Sequence, residues 1–497
     1  MRIVMLSWEY PPRIVGGIAR HIYDLSHALH DQGVEVHVIT CEHPGAAPEE
    51  VEDGIHLYRV SPVGQANDFV HWVHLLNNAM YTRAERLIED LLGHDSSGSL
   101  LPPDPENPII LHAHDWLAHF SAAPLKHKYK LPLVATIHAT EYGRNNGIHN
   151  SIQQYINHIE WNLQNEAWRL IVCTDFMRRE CEKALGTAWD KMDVIYNGVE
   201  PTKFELPGLG DEELAQFRSK YALPHEKLIF FVGRMVREKG VQVLIEALPK
   251  VRSFYRDAKL IVVGGGHREH LVQQARALGI ERYVYFTGFV PDEDLMKIYK
   301  VIDVASFPSL YEPFGIVALE AMAAHVPVVV SDAGGLPEVV RHGTTGVTTY
   351  AGNANSLADG LLSVLINPLT AKSMADAAYE SVLTTFNWAN IASQTRSVYD
   401  RVWSEYTESG WAFPAPGAVA AIDTAPAATP VASAAVEVAP DVAPVAAVPV
   451  EPEAPAKPKR TRKAAPKADA ASEPAPAVEP VVEAATTKRV RKPKKTE

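Results

Sequence analysis

The chain has 497 residues, 46% of them hydrophobic and 22% charged, which is the balance of a soluble globular protein with two ordinary domains and an additional segment. No apolar stretch reaches the roughly 18 residues that a membrane-spanning helix needs, so a transmembrane protein is excluded. The net charge of −13 divides into −15 for residues 1–414 and +2 for those from Ala415 onward, which carry 12 Lys+Arg against 10 Asp+Glu, and an acidic body argues against nucleic acid as the main substrate.

The N-terminal residues MRIVMLSWEYPP run directly into a predicted strand and a proline turn. They lack the basic region and the apolar region of a signal peptide. The cysteines, Cys41, Cys173 and Cys181, are too few and too irregularly spaced for a disulfide framework or a zinc site, so buried free thiols are expected. Both features predict a cytoplasmic protein that stays in a reducing compartment.

Short β-branched runs alternate with helical stretches through the first 200 residues. The strands predicted there are RIVMLS (from Arg2), EVHVIT (from Glu35), IILHAHD (from Ile109), LVATIH (from Leu133), LIVCTD (from Leu170) and DVIYNG (from Asp193). Residues 18–32 and 152–168 have the periodicity of amphipathic helices. Strands that read as continuous apolar runs, separated by helices, imply a parallel sheet that is covered on both faces.

The alternation pauses at residues 199–210, VEPTKFELPGLG, which are rich in proline, glycine and charge. The strands predicted after this pause are LIFFVGR (from Leu228), LIVVGGG (from Leu260), YVYFTG (from Tyr283), VASFPS (from Val304), VPVVVS (from Val326) and GVTTY (from Gly346). The pattern predicts two doubly wound, Rossmann-like α/β domains, residues 1–200 and 201–385, that face a central cleft. A helix at residues 386–412 is expected to pack back toward the first domain. The cleft, at the carboxyl ends of the strands, is the expected ligand site.

The composition changes at about Ala415. Alanine, proline, valine and glutamate dominate from there, and the basic clusters PKRTRKAAPK and KRVRKPKK follow. This mixture cannot bury enough apolar surface to offset its ordering entropy, so residues 413–497 are predicted to be a disordered tail. The basic clusters would suit an anionic surface, such as nucleic acid or a membrane, or an acidic partner; a solvated tail without a specific partner is the interpretation that we favour.

The segment SLYEPFGIVALEAMA, residues 309–323, carries the most specific pattern. Glu312 ends a strand and its loop, and Phe314, Gly315 and Ile316 open a helix whose free amide groups suit a phosphate. Glu320 follows about two helical turns later, where its carboxylate could accept hydrogen bonds from a ribose diol. Alternatively, the two glutamates are solvated helix residues.

The segment FFVGRMVREKGVQVLIEAL, residues 230–248, places two cations on a turn and a helix start. Gly233 ends a predicted strand, Arg234 follows it, and Lys239 begins the next helix. The glycine-lysine spacing of a P-loop is absent from this segment. Arg234 and Lys239 could converge on one diphosphate and supply the positive charge that a metal ion supplies elsewhere. A surface ion pair is the alternative.

Three further glycine-rich turns follow predicted strands. Gly16 and Gly17 lie after the first strand, where glycine allows a phosphate to approach the backbone closely, although a plain turn is the simpler interpretation. A nicotinamide site is disfavoured, because G-x-G-x-x-G does not follow that strand directly. VVGGGHRE (residues 262–269) and SDAGGLPEVV (residues 331–340) are turns of the same kind, and the first of them could approach a nucleoside.

Histidines mark the ends of two predicted strands. His138 ends LVATIH and points toward the expected cleft, as a catalytic or a structural residue. His112 and His114 fall on one face of their strand, next to Asp115, as metal ligands do. A third ligand with suitable spacing is not evident in the sequence, so we favour a hydrogen-bonded strand terminus and expect no metal site.

Taken together and in this order, the motifs resemble those of the retaining family-4 glycosyltransferases of the GT-B fold. The resemblance runs over about residues 1–406 and rests on E-P-F-G-I-V-A-L-E, G-R-M-V-R-E-K-G, G-G-L-P-E and the early G-G. It implies transfer of a hexose from a nucleotide diphosphate sugar with retention of anomeric configuration, without a cofactor or a metal. It also implies a front-face mechanism, in which the departing phosphate oxygen helps to deprotonate the incoming hydroxyl.

The resemblance assigns a role to each candidate site residue. The catalytic group that it implies is His138, Arg234, Lys239 and Glu312. The donor-binding group that it implies is Gly16, Gly17, Gly233, Phe314, Gly315, Ile316 and Glu320. Within these groups, Arg234 and Lys239 resemble the diphosphate clamp and Glu312 the carboxylate that holds the hexose. Glu320 resembles the residue that binds the ribose, and His138 the histidine beside the anomeric carbon.

The segments SWEYPPRIVGGIARH and TIHATEYGRNNG are most similar to glycogen- or starch-synthase-like members. Bacterial glycogen synthases usually carry a lysine just before the glycine pair, whereas this chain has Ile14 and Val15, with Arg13 as the nearest cation. We expect transfer of glucose from an ADP- or UDP-hexose to a glycan acceptor, an α-glucan. The alternatives are a mannosyl- or other hexosyltransferase of cell-envelope or exopolysaccharide synthesis, a nucleotide-sugar 2-epimerase, and a non-catalytic carbohydrate-binding scaffold.

Overall fold

An eight-stranded sheet forms the first half of the computed structural model, which describes residues 1–411. Its strands are β1 (Arg2–Leu6), β2 (Glu35–Cys41), β3 (Glu49–Glu52), β4 (Ile55–Val60), β5 (Ile109–His114), β6 (Leu133–Ile137), β7 (Arg169–Val172) and β8 (Met192–Val194). They lie in the order β3-β4-β2-β1-β5-β6-β7-β8. Every neighbouring pair is parallel except β3 with β4, which is antiparallel and lies at one edge.

Helices connect these strands. They are α1 (Gly17–Asp31), α2 (Phe69–Leu92), α3 (His119–Tyr129), α4 (Glu141–Arg144), α5 (Ser151–Glu166) and α6 (Asp175–Leu185). The side chains of Asp68, Asn150 and Thr174 each accept a backbone N–H at the start of α2, α5 and α6, which fixes where those helices begin. Alternate residues of β1 face opposite sides of the sheet, with Val4 in one core and Ile3 in the other. The buried strands are apolar because both of their faces are covered.

The second sheet has six strands. They are β9 (Lys227–Val232), β10 (Ala258–Val263), β11 (Val284–Gly288), β12 (Val304–Phe307), β13 (Val328–Ser331) and β14 (Val347–Thr349). Their order is β11-β10-β9-β12-β13-β14, and all neighbouring pairs are parallel. The helices are α7 (Asp211–Ser219), α8 (Val241–Phe254), α9 (Glu269–Ala277), α10 (Asp292–Val301), α11 (Ile316–Ala323), α12 (Leu336–Val339), α13 (Ala354–Ile366), α14 (Pro368–Thr384) and α15 (Trp388–Glu408). Short 3₁₀ turns lie at Trp116–Ala118, Trp189–Lys191, Pro201–Phe204, Arg237–Lys239 and Glu281–Tyr283.

The last helix, α15, lies against the first sheet rather than the second. It packs on α1, and the hydroxyl of its buried Tyr399 is 2.7 Å from Nδ1 of His112 in β5. The indole of Trp403 donates to the carbonyl oxygen of Pro105 at 3.0 Å. The chain therefore returns to its first half after completing its second.

The predicted fold class, two Rossmann-like α/β domains with parallel sheets, is confirmed. Every predicted run overlaps a strand, whereas β3, β4 and α2 were not predicted. The residue boundaries at 200 and 385 stay predictions. Cys41, Cys173 and Cys181 are buried and free. None of the helices within residues 1–411 has the length and hydropathy of a membrane span. The predicted disorder of the tail and its predicted partners lie outside the described residues.

Candidate active site

Loops from the carboxyl ends of both sheets meet around the start of α6. Thr174 follows β7, and its hydroxyl donates to the carbonyl oxygen of Pro313 at 2.9 Å. The next two backbone amides, of Asp175 and Phe176, donate to the carboxylate of Glu338 at 2.9 and 2.8 Å. An acidic side chain of the second half thus caps a helix of the first half, where free amide groups and the helix dipole favour negative charge.

Glu180, in α6, holds a second junction beside the first. Its Oε1 accepts from the hydroxyls of Thr140 and Tyr311, each at 2.7 Å. A Cβ on Gly143 would lie 2.3 Å from this oxygen, so a larger residue there would displace the Glu180 carboxylate. Burial is the main reason that the pKa of Glu180 is raised. The loop after β6 is therefore tied to the residue that precedes Glu312.

Lys239 and Glu312, which the sequence analysis placed on different ligand groups, touch each other. The Lys239 Nζ lies 2.8 Å from Glu312 Oε2, and the Ser309 hydroxyl donates to the same oxygen at 3.1 Å. Glu312 is 7% exposed, so these two donors stabilise its charge. Gly240, at φ 73°, makes the contact possible, because a Cβ there would lie 1.8 Å from the carbonyl oxygen of Pro308.

Arg234 lies at the surface of the same region. Its guanidinium forms an ion pair with Glu238 at 3.3 Å, and almost half of its side chain is exposed. This is the surface ion pair that the sequence left open as the alternative to a diphosphate contact. A guanidinium has five N–H donors, so one long contact leaves others for a ligand. Gly233, just before it, packs against the next turn, since a Cβ on Gly264 would lie 1.9 Å from the carbonyl oxygen of Gly233.

The turn for which an anion site was predicted lies immediately before α11. Phe314 is buried, and Gly315 adopts φ 107° immediately before the helix begins at Ile316. A Cβ on Gly315 would lie 2.6 Å from Leu336 Cδ2, so the positive φ and the close packing both require glycine. The first amide groups of α11 have no acceptor within a helix of this geometry. They are therefore suited to a phosphate oxygen, and the assignment of this turn to the donor stays a prediction.

The loop with the glycine pair lies against this turn. Val15 N and Gly16 N donate to Glu9 Oε2 at 2.7 and 2.9 Å. Glu9 is 1% exposed, and burial is the main reason that its pKa is raised. A Cβ on Gly17 would lie 3.1 Å from Ile316 Cδ1. Glu9 thus holds the glycine loop, which the structure brings to the start of α11 from the opposite sheet.

Glu320 is buried and already bound by protein groups. It is 4% exposed. Arg20, in α1, forms an ion pair with its Oε1, and the Tyr299 hydroxyl donates to its Oε2 at 3.0 Å. Arg20 also reaches Asp292 at 3.3 Å. The predicted ribose-binding carboxylate is therefore engaged by side chains from α1 and α10.

His138, itself half-buried, lies in a group with fully buried histidines. Its backbone N–H donates to Asp115 Oδ1 at 2.7 Å, and its Nε2 is 3.1 Å from His114 Nδ1. The ring of His21 lies 4.8 Å from that of His138 and is held by Asn197 at 2.7 Å. Asp115 has φ 57° and ψ 173°, a conformation that costs strain in residues other than glycine and is concentrated at functional sites.

Three of these imidazoles lie close enough to one another that a metal site has to be considered. Nitrogen atoms of His21, His114 and His138 lie within 4.8 Å of one another, whereas two ligands of a tetrahedral zinc with bonds of about 2.05 Å are about 3.4 Å apart. The hydrogen bond between His114 and His138 accounts for their closeness. His112 bonds instead to Tyr399 and Thr136, as a hydrogen-bonded strand terminus. The expectation of no metal stays a prediction.

Burial shifts the pKa values of these groups in a consistent way. Desolvation is the largest cause for every histidine of the group, since it penalises the charged imidazolium. It lowers the pKa of His138 to about 3 and lowers those of His21, His112 and His114 as well. It raises the pKa of Asp115 to about 6. At neutral pH, His138 is therefore a neutral hydrogen-bonding group rather than a cation.

These shifts predict that acid destabilises the fold. Each of the four imidazoles has a folded pKa below its unfolded value of about 6.5, so unfolding takes up protons and stability falls as the pH drops below 6.5. The raised pKa values of Asp115, Glu9 and Glu180 act in the opposite sense, since their contribution is lost as the pH rises, but that of Asp115 acts only below about 6, whereas the four imidazoles act from about 6.5 downward. Calorimetry should show a melting temperature that decreases steadily from pH 7 to pH 5. A constant melting temperature over this range would contradict the assignment.

Several residues of the site were not identified from the sequence. They are Glu9, Arg20, His21, Glu180, Tyr311 and Glu338. The sequence holds a weak signal for two of them, because Tyr311 directly precedes Glu312 and Glu338 ends G-G-L-P-E. The others lie in ordinary helical or loop sequence, and only the packing of the two halves brings them to the site.

Glycosyltransferases are among the known proteins and family models that match this chain. Family models described as "Glycosyltransferase Family 4" and "Glycosyl transferases group 1" match residues 15–203 and 215–381. An uncharacterized glycosyltransferase, MJ1607, of Methanocaldococcus jannaschii is 39% identical over 80% of this chain and 98% of its own. A glycogen synthase of Mycobacterium tuberculosis is 34% identical over 80% of this chain and 94% of its own.

Solved structures show the same fold. A sucrose-phosphate synthase from Thermosynechococcus elongatus aligns with a TM-score of 0.66 at 23% identity, over 81% of this chain and 99% of its own. The Anabaena protein Alr3699/HepE, solved in complex with UDP and glucose, aligns with a TM-score of 0.63 at 21% identity, over 81% of this chain and 100% of its own. At these identities the likeness concerns the architecture of the chain.

Proposed function

The chain belongs to the family-4 and group-1 glycosyltransferases, and we propose that it transfers a hexose from a nucleotide diphosphate sugar to a glycan with retention of configuration. The observation that carries this proposal is the contact between Lys239 and Glu312, beside the glycine loop and the start of α11. A cation, free amide groups and a carboxylate then lie together, which suits the diphosphate and the hexose of one donor.

Each residue has a task in the proposed reaction. Lys239, with Arg234, neutralises the charge that grows on the leaving diphosphate, and the amide groups of α11 add to this. Glu312 holds the hexose hydroxyls and stabilises the developing positive charge at the ring. The bond between the anomeric carbon and the phosphate oxygen breaks, and the acceptor oxygen bonds to the same face. The acceptor proton passes to the departing phosphate oxygen.

His138 takes part as a neutral group. Because its pKa is near 3, it carries no charge under assay conditions and can only donate or accept a hydrogen bond. Its place at the end of β6, held by Asp115, suits a sugar hydroxyl beside the anomeric carbon. General acid catalysis by an imidazolium is therefore not part of the proposal.

Glucose is the proposed hexose and an α-glucan the proposed acceptor. The glycogen synthase relative supports this, as does a relative named alpha-maltose-1-phosphate synthase, also of M. tuberculosis, which is 28% identical over 81% of this chain and 100% of its own. UDP- and ADP-glucose are the proposed donors, and the structural neighbour with UDP and glucose supports the first. A donor of this kind is a cytoplasmic metabolite, so the cytoplasm is the proposed location.

A panel of nucleotide sugars tests the proposal. The purified protein is incubated with ADP-, UDP- and GDP-hexoses, with and without an α-glucan, and free nucleotide and products are followed. We expect nucleotide release that requires the acceptor and yields a longer glucan. Release without acceptor, accompanied by a 2-epimerised sugar, would instead identify an epimerase. An absence of turnover with every donor would favour a binding scaffold.

Transfer is expected to persist in excess EDTA. Lys239 and Arg234 supply positive charge where a divalent cation would otherwise act on the diphosphate, so removing metals should change kcat by less than about twofold. The measurement is the initial rate before and after dialysis against the chelator. Loss of transfer that Mg²⁺ or Mn²⁺ restores would overturn this prediction.

A further inference from the structure

We propose that Arg20 occludes the nucleoside site, because its guanidinium must release Glu320 before the ribose diol of the donor can bind. This inference rests on the proposed function, because it concerns the same donor. The observation behind it is that the carboxylate assigned to the ribose is engaged by the protein itself. Arg20 therefore competes with the ligand for Glu320.

The contacts at Glu320 leave little room for a diol. A carboxylate accepts through two oxygens with about four lone-pair sites. Arg20 bonds to one oxygen and the Tyr299 hydroxyl to the other. Glu320 is 4% exposed and borders the same cavity as Arg20, so only a small part of its carboxylate is open to a ligand while both bonds are present. Two ribose hydroxyls reach it only when one of the two bound side chains moves.

Arg20 is the side chain that can move. Tyr299 is 1% exposed and packs edge-on against Phe204 and Phe230, which fixes its ring. The side chain of Arg20, in contrast, is 29% exposed. It borders a cavity of ≈ 270 Å³, so space is available for a new rotamer.

Arg20 also has a second anion at hand. Its other amino group lies 3.3 Å from Asp292, whose side chain is 65% exposed. When Arg20 releases Glu320 to the ribose, its guanidinium keeps Asp292 as a partner and is hydrated by solvent. The exchange therefore leaves no buried charge without a partner. A ligand that lacks the ribose hydroxyls does not need Glu320, so Arg20 weakens the binding of ribonucleotides without weakening that of such a ligand.

Removing the guanidinium should tighten the binding of ribonucleotides. In Arg20→Gln, Glu320 is free of its competitor, and calorimetric titration with UDP and with ADP should give a Kd about three- to tenfold lower for whichever of them binds the wild type. The 2′,3′-dideoxy analogue of that nucleotide should bind the variant and the wild type equally. Arg20→Lys keeps a charge without the planar fork, and its Kd should fall between the two.

A matched control separates this effect from a general change in α1. Arg396, in α15, donates to the carbonyl oxygen of Gln32 at the end of the same helix at 2.7 Å, and Arg396→Gln removes that bond without touching Glu320 or the cavity that Arg20 borders. Its nucleotide affinity should equal that of the wild type. Melting curves of all variants establish that they are folded.

Two results would overturn the inference. Weaker binding of both the ribo- and the dideoxynucleotide by Arg20→Gln would mean that Arg20 contacts the phosphates directly. An unchanged Kd for the ribonucleotide would mean that Arg20 does not compete. If the wild type binds neither UDP nor ADP, the proposed function itself falls, and that outcome is distinct from the other two.

Discussion

Replacing Lys239 with alanine is expected to lower kcat/KM by about 10³-fold. The Lys239 ammonium lies 2.8 Å from Glu312 Oε2. Lys239 is the less exposed of the two cations of the proposed diphosphate site, the other being Arg234. Loss of one preorganised electrostatic contact costs about 10²–10³ in kcat, and a charge-assisted hydrogen bond to the ground-state diphosphate adds to the loss in KM. Steady-state kinetics with donor and acceptor varied separately give both parameters.

The control for this prediction is Lys250→Ala. Lys250 lies in α8, directly after the Lys239 turn, and forms a comparable ion pair with Asp359 at 2.7 Å. Its loss should leave the kinetics unchanged. Lys239→Ala also leaves Glu312 with the Ser309 hydroxyl alone, so a modest decrease in melting temperature is expected. Unchanged kinetics in a folded Lys239→Ala protein would show that the clamp is misassigned.

Glu312→Gln is expected to lower kcat by about 10²–10³-fold while the KM for the donor changes little. Glutamine keeps the size of the side chain, and its amide oxygen can still accept from Ser309 and Lys239. What it lacks is the negative charge. An interaction that strengthens only as positive charge develops on the sugar affects turnover more than binding. A large rise in KM with kcat preserved would therefore contradict this role.

Stereochemistry tests the same residue in the wild-type enzyme. An α-linked donor should give an α-linked product, which the coupling of the anomeric proton reports by NMR. Intact-mass measurement during turnover should find no sugar attached to Glu312. A trapped glycosyl-enzyme at this position would mean that Glu312 is a nucleophile. A β-linked product would mean that the reaction does not retain the anomeric configuration.

The parallel core of the fold was predictable because strands that are buried on both faces have a largely apolar composition. Ile109–His114 is buried along its whole length and reads as one apolar run, as do the other inner strands. The edge hairpin was missed for a physical reason. Glu49–Glu52 has three glutamates in four residues, and Ile55–Val60 alternates between buried and half-buried positions. Exposed edge strands lack the continuous apolar signal.

The candidate site was predictable only where a single segment contains both a charged side chain and the glycine or proline of a turn. Lys239 and Glu312 each stand in a glycine- or proline-marked turn at a strand end, which is a local signal. Their contact with each other is not local, since 73 residues separate them. Arg20 meets Glu320 across 300 residues. Such pairs depend on how two sheets pack, and no periodicity within a single segment records that.

The cap that Glu338 places on α6 has a consequence for where Glu312 is held. Beside it, Thr174 holds the carbonyl oxygen of Pro313, and Gly335 N donates to that of Glu312 at 2.8 Å. The first of these bonds joins the two halves, and the second lies within the second half. The segment that carries Glu312 is therefore bonded to the start of α6 on one side and to the turn before Glu338 on the other. Both bonds fix the backbone of this segment, so a donor that enters the cleft meets a carboxylate that is already positioned.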